Sequence, residues 1–251
     1  MKSLVSLQNL SIQYGRDAAL QDVDLVIDAG EILAIIGESG SGKSTLALTL
    51  ANLLPANAVV SGRINWREGL PKLGRDIGFV FQDPASSFDP LMRIGTQLVE
   101  TVRAHEKIDV KAAKIKAIRL LERVHIPEPE DSFFRYPHQF SGGQKQRIAI
   151  ALAIAANPQV LIADEPTSAL DTIVQSEIVA LLRDLVRADG MTLIFITHDI
   201  ALASNLADRI AVFQHGELLE LGTAREVICS PQSDYTKLLI NAVPTLETAH
   251  G

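Results

Sequence analysis

A buried-strand pattern that runs directly into a glycine-rich loop constrains the fold of this chain more than any other feature. The run Ile32–Ile36 is entirely apolar, and it is followed by Gly37-Glu38-Ser39-Gly40-Ser41-Gly42-Lys43-Ser44-Thr45. The next residues favour a helix, which we predict from about Lys43 to Leu53. Glycines let such a loop curl so that its backbone N–H groups point inward, and the helix N-terminus adds a positive dipole. The order of strand, loop and helix therefore predicts an α/β fold with a phosphate-binding site.

The loop residues have separate expected roles in binding a nucleoside triphosphate. Lys43 is expected to reach the β- and γ-phosphates, and Ser44 to offer its hydroxyl to Mg²⁺. The other positions expected to surround the phosphates are Gly37, Ser39, Gly40, Gly42 and Thr45. The alternative is a glycine-rich turn with no ligand, but the flanking strand and helix patterns favour the phosphate site.

The charge and hydropathy of the chain exclude several classes of protein. A balance of 23 Lys and Arg against 30 Asp and Glu gives a net charge of −7, which argues against broad binding to nucleic acid or anionic lipid. The longest apolar run, Ile148 to Ala156, is too short to span a bilayer, and no signal peptide is expected after Lys2. The chain is expected to stay in the cytoplasm. Its single cysteine, Cys229, cannot form an internal disulfide.

Strand and helix patterns alternate along most of the chain. Strand patterns fill much of the first eighty residues, and a charged, helix-periodic stretch runs from Gly95 to Val124. The basic residues of that stretch lack interleaved aromatics, so they indicate a solvated helix face rather than a nucleic-acid patch. The later predicted elements are a helix over about Gly143 to Ala156, a strand Val160 to Ala163, a helix over about Thr172 to Ala188 and a strand Thr192 to Ile196. This alternation predicts a mainly parallel sheet covered by helices, with an inserted helical lobe in the middle of the chain.

Polar residues follow three of the predicted strands. Asp164 and Glu165 follow the strand that ends at Ala163, so Asp164 is expected to hold hydrated Mg²⁺ and Glu165 to polarise the water that attacks the γ-phosphate. His198 follows another strand and can donate a hydrogen bond to the γ-phosphate. Gln82 follows the strand Ile77–Phe81, and its amide can reach the metal or the attacking water. The alternative is that the two acids only cap the end of a strand and have no catalytic role. The phosphate loop earlier in the chain favours the catalytic interpretation.

A second glycine-containing segment, Ser141-Gly142-Gly143-Gln144, opens a predicted helix. Its N–H groups and hydroxyl form another anion-binding surface of the same physical kind as the first. One γ-phosphate does not need two such surfaces from one chain. We therefore expect this segment to complete the nucleotide site of another subunit, in a head-to-tail dimer with ATP between the subunits.

Taken in order, these motifs resemble those of the ATP-binding subunits of ABC transporters. The six motifs are Gly37 to Thr45, Gln82, Ser141 to Gln144, Asp164-Glu165, Ser168-Ala169-Leu170-Asp171 and His198. The resemblance implies ATP and Mg²⁺ as cofactors, with Mg²⁺ held by Ser44, Gln82 and Asp164. It also implies that Tyr14 stacks on adenine and that Asp171 crosses the dimer interface.

The same resemblance implies the ABC ATPase fold, with an antiparallel β-subdomain near the N-terminus. It divides a single domain, residues 1–251, into three parts. Residues 1–82 and 158–222 form the core with the β-subdomain, residues 83–157 form the helical lobe that contains Ser141 to Gln144, and residues 223–251 form a C-terminal helical tail.

A finer resemblance is to the ATPases of peptide and nickel importers. It rests on the extended segment Phe81 to Pro90, on Tyr136 to Gln139, and on Ser230-Pro231 with Tyr235-Thr236 and Leu238-Leu239. Phe88-Asp89 and Asp234 depart from that branch's usual residues. Many oligopeptide members also carry a cysteine-bearing extension that this chain lacks, so no iron–sulfur cluster is expected.

The function that the resemblance implies is ATP hydrolysis that drives an importer for peptides or for nickel, free or chelated. The expected partners are two membrane permease subunits, a second identical or homologous ATPase subunit and, indirectly, an extracytoplasmic solute-binding protein, with no nucleic acid. The expected location is peripheral, on the cytoplasmic face of the inner membrane. The alternatives are a soluble ABC-type ATPase acting on nucleic acid or ribosomes, and a small-molecule P-loop kinase, which would leave Ser141 to Gln144 unexplained.

Overall fold

The computed structural model describes residues 2–242, and the chain divides into two compact units. One unit comprises the residues up to Pro71 together with those from Thr192 onward, and the other runs from Lys72 to Met191. Residues 243–251 of the predicted C-terminal tail lie outside the described residues. The finer boundaries of core, lobe and tail stay a prediction.

The first unit contains the expected antiparallel β-subdomain. Its strands are β1 (Ser3–Tyr14), β2 (Asp17–Asp28) and β4 (Ala58–Trp66), in the order β2-β1-β4. Both pairings are antiparallel, and the register of β1 against β2 shifts between Leu7 and Leu10. Asn9 lies at this shift with a positive φ of 45°, as expected for the extra residue of a bulge. Strand β1 continues past this bulge to Tyr14.

A largely parallel set of strands lies in the same unit. These strands are β3 (Ile32–Ile36), β7 (Thr192–Thr197), β8 (Arg209–Gln214) and β9 (Glu217–Thr223). Strand β3 pairs in parallel with both β7 and β8, and β9 adds antiparallel to β8. Every residue of β3 and β7 is buried, as is typical of parallel strands covered on both faces.

Within residues 2–242, four helices belong to this unit. They are α1 (Lys43–Leu50), α7 (Ile200–Leu206), α8 (Ala224–Cys229) and α9 (Asp234–Asn241). Helix α1 ends before the predicted Leu53 because Asn52 adopts a left-handed backbone, with φ of 56°, and Pro55 follows. The side chains of Tyr235, Leu239 and Ile240 on α9 pack against a buried apolar cluster formed by Ala34, Ile36, Ile200, Ala203, Ile210, Val212, Val227 and Ile228.

An ion pair lies within the same unit, beside the first residue of β3. The carboxylate of Glu31 accepts hydrogen bonds from Arg209 Nη1, at 3.2 and 3.3 Å, and from the backbone N–H of Asp28 at 2.7 Å. Only 3% of the Glu31 side chain is exposed. Burial raises the pKa of Glu31 above its ordinary value, and the hydrogen bond from Asp28 N–H and the interactions with Arg209 oppose that shift without cancelling it.

The second unit carries the helical lobe. Its strands β5 (Ile77–Val80) and β6 (Val160–Asp164) pair in parallel. Its helices are α2 (Ile94–His105), α3 (Val110–Arg123), α4 (Pro129–Ser132), α5 (Gly142–Ala153) and α6 (Thr172–Asp189). The helix-periodic stretch from Gly95 to Val124 forms two helices because Asp109 begins α3, its carboxylate accepting a hydrogen bond from Ala112 N–H. Lys111, Lys114 and Arg119 of α3 are exposed beside a buried apolar stripe, which agrees with the predicted solvated face.

Candidate active site

The phosphate loop connects β3 to α1 and is closely packed at both ends. Gly37 has a φ of 153°, and a Cβ atom there would lie 2.1 Å from the carbonyl oxygen of Phe213. Gly42 precedes α1 with a φ of 96°, and its Cβ would lie 2.4 Å from the carbonyl oxygen of Ala19. Both positions therefore require glycine, because another residue would be strained and would also clash with backbone atoms.

The ammonium group of Lys43 is held by the loop itself. Its Nζ donates hydrogen bonds to the carbonyl oxygens of Gly37, at 2.9 Å, and Glu38, at 2.6 Å. Lys43 is only 4% exposed, at the first residue of α1. A positive charge at this helix N-terminus suits the binding of an anionic phosphate group.

The other predicted residues of the loop lie on its accessible side. Ser39, Gly40 and Ser44 are exposed, and Thr45 is half-buried in the first turn of α1. A hydroxyl at Ser44 is thus accessible beside the positive end of the helix. This arrangement can bind an anion and offer an oxygen ligand to a cation.

Two further predicted residues belong to the same unit. His198 directly follows β7, and the parallel register pairs Thr197 with Ile36, the residue before Gly37. The structure therefore places His198 and the phosphate loop at the carboxyl ends of neighbouring strands, the edge at which open α/β sheets bind ligands. Tyr14 is the half-buried last residue of β1, where its backbone pairs with Asp17 and Ala58.

The second unit brings Gln82 and Glu165 into direct contact. The amide Nε2 of Gln82 donates a hydrogen bond to Glu165 Oε2 at 3.2 Å and lies 3.4 Å from Ser168 Oγ. Strands β5 and β6 explain the contact, because their parallel register pairs Val80 with Ala163 and so brings the following residues to one edge. Asp164 is the half-buried last residue of β6.

Glu165 has an unusual backbone conformation. Its φ of 44° lies in the left-handed region, which costs a non-glycine residue about 1–2 kcal/mol. Such strain is found disproportionately at functional sites. Glu165 is also half-buried, so the strained residue carries a carboxylate that solvent and ligands can reach.

The segment Ser141 to Gln144 begins α5 with a capping box. Ser141 Oγ accepts a hydrogen bond from Gln144 N–H at 3.3 Å, and Gln144 Oε1 accepts one from Ser141 N–H at 3.1 Å. The spacing Ser-x-x-Gln is a sequence signal for this arrangement, and sequence analysis did not use it. A Cβ on Gly143 would lie 2.6 Å from a methyl group of Val174, which holds the start of α5 close to α6. Gly142 and Ser141 remain exposed.

Asp171 caps helix α6. Its carboxylate accepts a hydrogen bond from Val174 N–H at 3.0 Å. This contact fixes the loop Ser168 to Asp171 at the start of the helix. Its expected role at a dimer interface stays a prediction.

Comparisons with known proteins agree with this architecture. The family model described as ABC transporter matches residues 20–168. The oligopeptide transport ATP-binding protein OppD of Bacillus subtilis (strain 168) is 41% identical over 98% of this chain and 73% of its own length. The dipeptide transport ATP-binding protein DppD of the same organism is 39% identical over 98% of this chain and 78% of its own. This chain belongs to the ABC transporter family.

Other members of the family extend the comparison. The glutathione import ATP-binding protein GsiA of Escherichia coli (strain K12) is 38% identical over 99% of this chain, which matches 43% of GsiA. Among solved structures, cbiO1 from Clostridium perfringens, part of the ABC transporter complex cbiONQ, has a TM-score of 0.79 and 31% identity over 92% of both chains. A dimeric, post-hydrolysis structure of the ATP-binding cassette MJ0796 with ADP and Pi has a TM-score of 0.75 and 31% identity, over 88% of this chain and 99% of that one. The predicted ABC ATPase fold is confirmed, and the chain is an ATPase.

The donor set of this ABC ATPase fits Mg²⁺. The residues predicted to bind it, Ser44, Asp164 and Gln82, carry a hydroxyl, a carboxylate and an amide oxygen, which are hard oxygen ligands. No group of three or more His, Cys, Asp or Glu side chains in residues 2–242 is arranged to hold a metal ion by itself.

Sequence analysis missed one contact with the phosphate loop. The hydroxyl oxygen of Tyr235, on α9, accepts a hydrogen bond from the backbone N–H of Glu38 at 2.9 Å. Tyr235 belongs to the C-terminal pattern that carried the finer family resemblance, but no role was inferred for it.

None of the helices within residues 2–242 combines the length and the apolar character needed to cross a membrane.

Proposed function

We propose that this ABC ATPase is the energy-coupling subunit of an importer that takes up peptides. The relatives OppD, DppD and GsiA are named for the transport of oligopeptides, dipeptides and glutathione, and they support this class of cargo. Nickel, free or chelated, is the other cargo implied by the sequence. These relatives favour peptides, and they give no support to a soluble ATPase that acts on nucleic acid or ribosomes.

The observation that carries the energy-coupling role is the hydrogen bond between Gln82 Nε2 and Glu165 Oε2. In our proposal Glu165 is the general base. It accepts a proton from water as the water oxygen bonds to the γ-phosphorus and the bond to the leaving ADP oxygen breaks. A displacement of Gln82 would move or release this carboxylate. Hydrolysis would thus depend on the position of the segment that follows Gln82.

The remaining residues are proposed to position the nucleotide. Lys43 and the loop N–H groups bind the β- and γ-phosphates, Tyr14 stacks on adenine, and His198 donates to the γ-phosphate. When bound, Mg²⁺ neutralises negative charge on the phosphate oxygens, and Ser44, Asp164 and Gln82 would hold it. The structures of MJ0796 are described as dimeric. We propose that this chain likewise dimerises, with Ser141 to Gln144 and Asp171 of each subunit facing the nucleotide of the other.

A groove in the second unit is the proposed docking site for a permease. It has a volume of about 450 Å³, and its lining includes Phe79, Phe81 and Met92 together with the acidic residues Asp89 and Glu100. Phe81 directly precedes Gln82 and is 39% exposed. An amphipathic helix of a permease, with an apolar face and a basic residue opposite Glu100, suits this lining. Movement of such a helix would reach Glu165 through Phe81 and Gln82.

The proposed assembly has two ATPase subunits beneath two permease subunits. The ATPases would lie peripherally on the cytoplasmic face of the inner membrane, and an extracytoplasmic binding protein would deliver cargo to the permeases. Closure of the ATP-bound dimer, followed by hydrolysis, would alternate the access of the permeases to the two sides of the membrane.

A charge reversal in the groove tests this proposal. We expect Glu100→Lys to reduce recovery of the permease subunits with the affinity-tagged chain from detergent-solubilised membranes, while ATP binding is unchanged. The matched control is Glu122→Lys, because Glu122 is exposed on α3 and does not line the groove. Equal recovery with both variants would contradict docking at this groove, and co-purification of RNA or DNA in place of permeases would contradict the transport function.

Cargo is tested separately in proteoliposomes that contain the purified complex and its binding protein. We expect ATP-dependent uptake of labelled short peptides. Uptake of chelated nickel without peptide uptake would overturn the proposed cargo and leave the ATPase assignment intact.

A further inference from the structure

Helix α9 contacts the phosphate loop through a single polar atom. The Tyr235 hydroxyl oxygen lies 2.9 Å from the backbone nitrogen of Glu38 and accepts its hydrogen bond. The next peptide group of the loop binds Lys43, because the Glu38 carbonyl oxygen accepts from Lys43 Nζ at 2.6 Å. Glu38 is therefore held at its N–H group by Tyr235 of α9 and at its carbonyl oxygen by Lys43.

The position of Tyr235 is itself fixed by its surroundings. Its ring packs against the apolar cluster that contains Ile36 and Val212, the neighbours of the loop on β3 and β8. Burial raises the pKa of Tyr235 above its ordinary value, so the hydroxyl is uncharged at neutral pH. A neutral, half-buried hydroxyl accepts a backbone hydrogen bond without adding negative charge beside the phosphate site.

The start of α9 is held from the opposite side by β9. The carboxylate of Glu220 accepts hydrogen bonds from the backbone N–H groups of Gln232, at 2.9 Å, and Ser233, at 3.0 Å. Ser233 Oγ in turn accepts from Tyr235 N–H at 3.2 Å. A continuous series of hydrogen bonds thus runs from β9 through the start of α9 to the phosphate loop.

We propose that Tyr235 is a positioning residue for ATP binding: its hydroxyl fixes the Gly37–Glu38 peptide, so that the docking of α9 sets the affinity of the phosphate loop for nucleotide. The inference rests on the ATPase activity and not on the proposed cargo or permeases. Tyr235 acts through Glu38 and the loop that contains Lys43, and it does not itself contact the nucleotide. It should therefore affect the binding of ATP far more than the chemical step.

The principal test is Tyr235→Phe, which removes the hydroxyl and keeps the ring in the apolar cluster. We expect the Kd for ATP to rise about three- to tenfold, the range given by loss of one hydrogen bond. The kcat at saturating ATP should stay within about twofold of the wild type, because the hydroxyl does not touch the reacting atoms. The control is Leu238→Ala, which shortens an exposed side chain of the same helix that does not contact the phosphate loop or Glu220. That variant should bind ATP like the wild type.

Two further measurements separate positioning from a general loss of stability. Hydrogen exchange of the Glu38 amide, measured without nucleotide, should be faster in Tyr235→Phe and unchanged in Leu238→Ala. Glu220→Gln should also weaken ATP binding, although Glu220 lies on β9 and its carboxylate binds the backbone at the start of α9. That effect would show that docking of the helix is transmitted to the loop.

The proposal is overturned if Tyr235→Phe binds ATP with wild-type affinity, or if Tyr235→Phe and Leu238→Ala lose affinity equally. An unchanged exchange rate of the Glu38 amide in Tyr235→Phe would also overturn it. If the wild-type chain itself bound no ATP, the assignment of the phosphate loop would be wrong, and the exchange measurement, which needs no nucleotide, would still decide the role of Tyr235.

Discussion

The proposed catalytic role of Glu165 and its backbone strain can be tested together. Its φ of 44° costs about 1–2 kcal/mol for a residue with a side chain. Glycine removes that cost, but it adds about 0.5–1 kcal/mol of backbone entropy lost on folding. We therefore expect Glu165→Gly to be about 0.5–1 kcal/mol more stable than Glu165→Gln, which keeps a side chain in the strained conformation.

The two variants should share the same catalytic defect. Removing a general base lowers kcat by about 10²–10⁴-fold, so both should bind ATP and hydrolyse it very slowly. Stability is measured by urea unfolding at 25 °C, and activity by steady-state release of phosphate. A gain in stability combined with a loss of activity would identify Glu165 as a residue strained for function.

The chain supplies a matched control at Glu128. This residue is also a glutamate with a left-handed backbone, with φ of 48°, but it is exposed at the start of α4. Glu128→Gly should gain about the same 0.5–1 kcal/mol over Glu128→Gln and retain full ATP hydrolysis. Near-normal turnover of Glu165→Gln would refute the role of Glu165 as the base. If the glycine variant were more stable than the glutamine variant at position 128 but not at position 165, the backbone strain assigned to Glu165 would be refuted.

Three other residues give further predictions. Lys43→Ala should weaken ATP binding strongly, because it removes the ammonium group from the phosphate loop; a nucleotide titration with unchanged affinity would contradict the assignment of the loop. Arg209→Met should cost about 3–5 kcal/mol in urea unfolding, because it leaves the buried Glu31 carboxylate without its cationic partner, and adding Glu31→Gln should recover part of that loss. The folded pKa of Glu31 is raised above 4.5, so the folded state binds the Glu31 proton more tightly than the unfolded state does. The stability that this proton contributes is fully present below pH 4.5 and is lost as pH rises through the folded pKa. Glu31→Gln should therefore gain stability relative to the wild type as pH increases from 4.5 towards neutral, and a difference independent of pH would contradict this account.

Local features of the structure were predictable because short-range sequence patterns specify them. The loop from Gly37 to Thr45 follows strand β3 and precedes helix α1, as its glycines and the flanking apolar residues predict. The position of Glu165 at the end of β6 also follows from a short pattern. Helix ends were predicted less accurately: α1 ends at Leu50 and not at Leu53, although Asn52 and Pro55 are residues typical of a helix end.

The capping interactions show a second limit. Ser141 and Gln144 were interpreted as an anion-binding surface, and the structure shows that their side chains also form a reciprocal cap on α5. The Ser-x-x-Gln spacing predicts such a cap, so this feature was available in the sequence. Asp171 likewise caps α6 while remaining a candidate for the dimer interface.

The sequence by itself determined that this chain has a phosphate loop, two carboxylates after a buried strand and a set of motifs in the order of an ABC ATPase. Each of these depends on residues close together in the chain, whose spacing fixes the local chemistry. Tertiary structure decided which distant groups meet: Gln82 with Glu165, 83 residues apart, and Tyr235 with Glu38, 197 residues apart. No local pattern encodes such a contact, because it exists only after strands and helices far apart in sequence have packed into one core.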